Sequence, residues 1–141
     1  MTPHAASLTT TFPGLPIMDR LHRDLFAALD ELSHVSDHEF LEGYRMLVRN
    51  VERAFRQEEE WMEKANFPAM HMHQEQHARV LGGLHNVHMR IMGGDLQVGR
   101  KVVDDLLPQW LAFHVSTMDT ALAVAMQMSS ALTGEPASAL S

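Results

Sequence analysis

The sequence predicts an all-α fold, an up-down-up-down antiparallel four-helix bundle with an irregular N-terminal arm. Three observations carry this reading. Four stretches of apolar residues recur at spacings of three and four, the period of one helix face. Short segments rich in Pro, Gly, Ser or Asp separate them, and short connections make antiparallel neighbours. Eleven methionines with abundant Leu and Ala, against a single tyrosine, favour helix over strand.

Residues 1–15 read as an irregular arm, with Thr9, Thr10 and Thr11 followed by Pro13, Gly14 and Pro16. The first helix begins at Ile17, and its stripe is Ile17, Leu21, Leu25, Ala28 and Leu32, bordered by His22. "HVSDHEF" is a turn, with Ser36 or Asp37 as N-cap of the next helix. That second helix is expected over 39–65, its inner side marked by Phe40, Tyr44, Leu47, Val51, Phe55 and Met62. Pro68 in "NFPAM" ends it. The third helix is expected from Ala69 to Met92, with His73, His77, Leu81, Leu84, His88 and Ile91 inward and Gly93-Gly94 as its stop. The fourth starts between Leu96 and Gly99 and runs to Leu132. Its expected core stripe is Val103, Leu106, Trp110, Phe113, Thr117, Ala121, Val124 and Met128. Pro108 either bends it or marks its true first turn. The bundle thus covers 16–132, and 133–141 is a C-terminal tail. No internal repeat is visible.

The chain has 141 residues, 45% of them hydrophobic, which suits one domain with a real core. It has no cysteine, which excludes disulfides, thiolate metal sites and cysteine nucleophiles. A formal charge of −7 argues against nucleic acid and anionic membranes as partners. No apolar run reaches the roughly 18–20 residues of a membrane span, and the first residues lack the pattern of a signal peptide. A cytoplasmic protein is the expectation.

Ten histidines in such a chain raise the question of metal. His73 and His77, four apart, project from one helix face and can reach one ion. Alone, such a pair is more often two solvated histidines. Further ligand types enter from the other helices: His22 from the first, Glu58 from the second, His114 and Asp119 from the fourth. Taken singly, each has a plain structural reading. Glu58 sits in an acidic run, His22 could be a core histidine, and Asp119 could pair with a base. Together they favour a metal site, because buried carboxylates are costly unless paired or bound to a cation. His114 and Asp119, five apart, point about 140° from each other on an ideal α-helix. They must approach a common site from different angles, or a π-bulge must bring them together.

The segments "FPGLPIMDRLHRDLF", "FRQEEEWM", "FPAMHMHQEQH" and "QWLAFHVSTMD" resemble the hemerythrin family, specifically its bacterial hemerythrin-like domains, over residues 12–126. They match the family's ordered ligand series, in order and spacing. The resemblance implies two iron ions joined by an oxo or hydroxo bridge. It makes His73, His77 and His114 terminal ligands of one iron, Glu58 and Asp119 bridges, and His22 a terminal ligand of the second. The family's further histidine, one turn before the bridging glutamate, is replaced here by Ala54. The second iron is then expected to be weakly held or absent, with two open positions filled by water, an anion or a neighbouring side chain. Asn50 and Glu59 are the nearest replacement ligands, and neither has an obvious route to the metal.

The function implied is binding of dioxygen or a related small ligand for sensing, storage or delivery, with a signalling domain as a partner. A ligand-binding protein is expected rather than an enzyme. The alternatives are oxidase-, peroxidase- or ferroxidase-like activity at the opened site, and a degenerate bundle holding one metal or none. The remaining histidines have plainer readings: His4, His34, His38 and His71 solvated, His88 in the core or rim. Glu59 and Glu60 read as a solvated face. Phe55, Trp110 and Leu111 read as core.

Overall fold

The computed structural model describes residues 16–133, all helix and turn, with no strand among them. The expected arm, with His4, and residues 134–141 of the expected tail lie outside the described residues. Four helices form the bundle: α1 Pro16–Ser33, α2 Asp37–Lys64, α3 Met70–Met92 and α4 over residues 96–133. No helix is long and apolar enough to cross a membrane.

Two of the three connections are closed by the same pair of hydrogen bonds around a left-handed residue. At the end of α2, Asn66 turns left-handed at φ 52°. Its N–H donates to Glu63 O, and Phe67 N–H donates to Met62 O. At the end of α3, Gly94 takes φ 104°, its N–H donates to Ile91 O, and Asp95 N–H donates to Arg90 O. Both are Schellman caps, which use carbonyls the helix leaves orphaned. Asp95 then caps α4, its Oδ1 accepting from Val98 N–H at 3.3 Å. Pro68 therefore follows a stop that Asn66 has already made. Ser36 is the N-cap of α2, without a side-chain capping bond.

The core has two apolar clusters. The larger contains Leu25 and Leu29 of α1, Tyr44, Val51 and Phe55 of α2, Leu84 of α3, and Val103, Leu107 and Leu111 of α4. The smaller contains Met18 of α1, Trp61 and Met62 of α2, and Leu122, Ala123 and Met126 of α4, with Phe67 and Met70 against it. Each helix passes from one cluster to the other, and direction alternates from α1 to α4. That alternation is the up-down-up-down topology the sequence predicts.

Two corrections concern helix faces. In α1, Met18, His22, Leu25, Leu29 and Leu32 are buried, so His22 lies in the inward stripe rather than at its border. In α4 the expected stripe fails beyond Val103. Leu106, Phe113, Val124 and Met128 are exposed, while Leu107, Leu111, Val115, Asp119, Ala123 and Met126 are buried. The cause is the backbone. Val102–Leu106 and Val115–Asp119 are π-helical, separated by α-helical Leu107–His114. Each π turn spends an extra residue. The inward positions then recur every four residues, and a 3.6-residue extrapolation drifts off the face. Pro108 sits buried in the first turn after the first π segment, inside an uninterrupted helix.

Candidate metal centre

The two apolar clusters are separated by a polar layer. In α1 it is His22, between Met18 and Leu25. In α2 it is Glu58, between Phe55 and Trp61. In α3 it is His73 and His77, and in α4 His114 and Asp119, between Leu111 and Leu122. All six are buried. Water is excluded from above and below because every helix returns to apolar residues within a turn or so.

The second π turn assembles the α4 contribution. Ser116 Oγ and Thr117 Oγ1 both donate to Phe113 O, at 3.1 and 2.7 Å. Such back-bonding competes with the helix's own amide for that carbonyl. Thr120 donates to Val115 O, five residues back, through both its backbone N–H and its hydroxyl. The i to i+5 turn carries Asp119 around to the side of His114. Of the two geometries open at the sequence level, the π-bulge is the one present. Phe113 is 66% exposed and His114 1%.

The donor atoms converge. Nε2 of His114 lies 3.1 Å from Nε2 of His73 and 3.2 Å from Nε2 of His77. Glu58 Oε1 lies 2.9 Å from His77, 3.3 Å from His73 and 3.5 Å from His114. Asp119 Oδ1 is 3.1 Å from His73 and 3.2 Å from His114. The other oxygens face α1: Asp119 Oδ2 is 3.0 Å and Glu58 Oε2 3.7 Å from His22 Nε2. Two donor groups result, the histidine triad with Glu58, and His22 with both carboxylates.

These residues fit a metal on three counts. His114 Nε2 lies within 3.2 Å of the Nε2 atoms of both His73 and His77 and cannot satisfy both by hydrogen bonds, because it either donates once or accepts once. Donors about 3 Å apart are what right-angled ligands at about 2.1 Å from one ion require. Nitrogen and oxygen donors without thiolate suit iron, zinc or manganese.

Electrostatics show how the cluster holds its charges against burial. Burial opposes charge on His22 and on His114. Hydrogen bonds to Asp119 and Glu58 outweigh it and raise both to about 9. His73 is raised by the same balance. Burial pushes Glu58 up, yet hydrogen bonds from His114, His22, His73 and His77 hold it well below the usual carboxylate range. Burial and the charge of Glu58 push Asp119 up, and bonds from His114, His22 and His73 bring it below its ordinary value. The metal-free layer therefore favours buried carboxylates facing imidazolium.

Residues 14–125 match the protein-family model of the hemerythrin HHE cation-binding domain. The chain belongs to the hemerythrin family. A bacteriohemerythrin of Ralstonia nicotianae is 34% identical over 101 residues, covering 72% of this hemerythrin domain's chain and 73% of the relative. No solved structure matches it. Membership makes this hemerythrin chain an iron-binding protein of the non-heme, oxygen-binding class.

The surroundings of the layer hold what spacing did not reveal. Glu59, expected on a solvated face, is half-buried, and its Oε2 accepts from His77 Nδ1 at 2.9 Å. Glu59 lies outside both donor groups and holds the ring of a residue that lies within one. Nothing in "EEE" distinguishes it, since the partner lies on α3. Phe55 stacks on His77 with centroids 3.8 Å apart and planes 3° from parallel. Trp110 stacks on His114 at 4.6 Å and 14°. Asn50 is not in either donor group. It lines, with Ala54, Arg53, Gln57, Leu21, Asp24 and Leu25, a cleft of about 350 Å³ between α1 and α2. Of the other histidines, His34, His38 and His71 are exposed as expected. His85 is exposed and pairs with Glu52, while half-buried His88 stacks on Tyr44.

Proposed function

We propose that this chain is a di-iron protein that binds dioxygen or a related small ligand within the bundle, for oxygen or redox sensing, storage or delivery. One observation carries the reading. Glu58 and Asp119 each turn one oxygen to the histidine triad and the other to His22. Two carboxylates with that division suit two ions side by side rather than one.

In this reading His73, His77 and His114 hold the first iron, His22 holds the second, and Glu58 and Asp119 bridge them. When bound, a ferrous pair supplies the electrons that bind and release dioxygen. The protein's part is to hold geometry and exclude water. Phe55 and Trp110 brace the rings of His77 and His114, and Glu59 keeps the Nδ1 proton of His77, which leaves Nε2 free to ligate. The apolar clusters on either side keep the layer dry, which strengthens every electrostatic contact inside it.

Ala54 stands where the family places a further histidine, so the second iron has fewer protein ligands. The cleft that Ala54 lines favours a second reading, in which the opened site turns over as an oxidase, peroxidase or ferroxidase. Anaerobic loading with ferrous iron separates the readings. Near two irons per chain, with a charge-transfer spectrum that appears in air and vanishes on removing oxygen, is the result expected of a carrier or sensor. Steady consumption of a reductant or of ferrous iron would establish turnover. One iron or none would leave a degenerate bundle.

A further inference from the structure

The cleft beside Ala54 has a polarity of its own. Asn50, Arg53, Ala54 and Gln57 fall at i, i+3, i+4 and i+7 and form one face of α2. Leu21, Asp24 and Leu25 form the facing wall on α1. The floor touches the metal layer in sequence on both sides: Leu21 precedes His22, and Gln57 precedes Glu58. At about 350 Å³ the cleft lies at the small end of ligand sites, which run from about 300 to 1,000 Å³.

Its α2 edge is rich in donors. Arg53 Nη2 donates to Asn50 Oδ1, which uses the acceptor of Asn50 and leaves its amide N–H groups. Gln57 Nε2 is buried and has no hydrogen-bond partner among the described residues. A buried donor without an acceptor is costly, and a ligand with acceptor atoms would remove that cost. Across the cleft stands one acceptor group, the Asp24 carboxylate. It disfavours an anion on the α1 side and directs one to α2. Leu21, Leu25 and Ala54 offer apolar walls for a short carbon chain.

We propose that this cleft binds a small monocarboxylate, held by Gln57 and Arg53 and seated over the Ala54 methyl, where it reaches the His22 side of the metal layer. This rests on the reading of the layer as a metal centre. A carboxylate presents two acceptor oxygens, one for the Gln57 amide N–H and one for the Arg53 guanidinium. Its carbon chain lies against Leu21 and Leu25. A cationic or purely donor ligand would find only Asp24 and leave Gln57 unsatisfied.

The test is titration of the ferric iron-loaded chain with acetate, followed by calorimetry and by the iron charge-transfer spectrum, with azide as an anion that lacks the two-oxygen fork and the carbon chain. Acetate should bind and shift the spectrum. Gln57→Leu should weaken acetate at least tenfold, the scale of a lost hydrogen bond to a charged group, and leave azide unchanged. Arg53→Gln should weaken acetate and flatten its salt dependence. Ala54→Leu should fill the cleft and abolish acetate binding. Two irons per chain with no acetate binding, or acetate affinity unmoved by Gln57→Leu, overturns the proposal while leaving the metal reading intact. If no metal loads, the metal reading fails by itself. Calorimetry on the same metal-free chain then decides the cleft: acetate binding lost in Gln57→Leu supports it, and absence of binding overturns it.

Discussion

Glu58 on α2 and Asp119 on α4 divide their oxygens between the same two partners. Each presents one oxygen within 3.5 Å of the α3–α4 histidines and the other to His22, at 3.7 and 3.0 Å respectively. They are nearly isosteric in role, though they come from opposite sides of the bundle. If they bridge two ions, Asp119→Asn should lower retention of the second metal by at least about 10–100-fold, the scale set by losses one shell further out. Metal per chain after dialysis against a graded chelator checks this. Helical content by circular dichroism should stay unchanged.

Ala54 is buried in the larger apolar cluster, at the edge that lines the cleft. Ala54→His should place an imidazole one turn before Glu58. We expect tighter retention of the second iron, slower autoxidation and weaker binding of added anions. Autoxidation followed spectroscopically in air, with azide titration alongside, gives the answer. Unchanged rates would mean that position 54 does not face the metal.

Glu59 holds the Nδ1 side of His77 at 2.9 Å. Glu59→Leu removes that partner without touching a donor atom of the layer. Metal affinity should fall about 10–100-fold, and Glu59→Gln, which keeps an acceptor, should restore most of it. Competition with a metal-sensitive dye reads this directly.

The metal-free layer carries protons that metal must displace. His22 and His114 are raised to about 9, so both are protonated at pH 7. Zinc or ferrous uptake near neutrality should therefore release protons, and apparent affinity should rise as pH increases toward 9. Calorimetry in buffers of different ionisation heat counts those protons. The sign for folding follows. Raised imidazoles stabilise the metal-free fold below their unfolded pKa, and this contribution is lost as pH rises through about 9. Glu58 and Asp119 are lowered, so their contribution is present above the unfolded carboxylate pKa and lost as pH falls through the folded one.

One glycine is a packing requirement. A Cβ on Gly99 would come within 2.6 Å of Ile91 Cδ1 and 2.7 Å of Phe40 Cε2. Gly99→Ala should destabilise the fold by about 1–3 kcal/mol through overpacking. Chemical denaturation should show it as a lower midpoint, with metal stoichiometry retained.

Much of this protein was legible in its sequence. The number of helices and their approximate ends follow from apolar periodicity and Gly and Pro punctuation, which are local signals, while the six candidate donors stood out chiefly because their order and spacing resemble those of a known family. The faces of α2 were legible because an undistorted α-helix keeps its 3.6-residue period, from Phe40 through Val51 to Met62. The faces of α4 were not. Its two π turns shift the phase, so Phe113 points out and His114 in. Nothing in a periodic reading records an i to i+5 bond; at the second π turn the hydroxyls of Thr117 and Thr120 bond back to the chain beside it, and at the first no hydroxyl marks the place. Glu59 and the cleft at Ala54 belong to the tertiary structure alone. Residue spacing along one helix says which side chains share a face, but not which side chain a neighbouring helix brings to meet it. The pairing of Glu59 with His77, and the space Leu21 and Leu25 leave above Ala54, exist only once α1, α2 and α3 have packed.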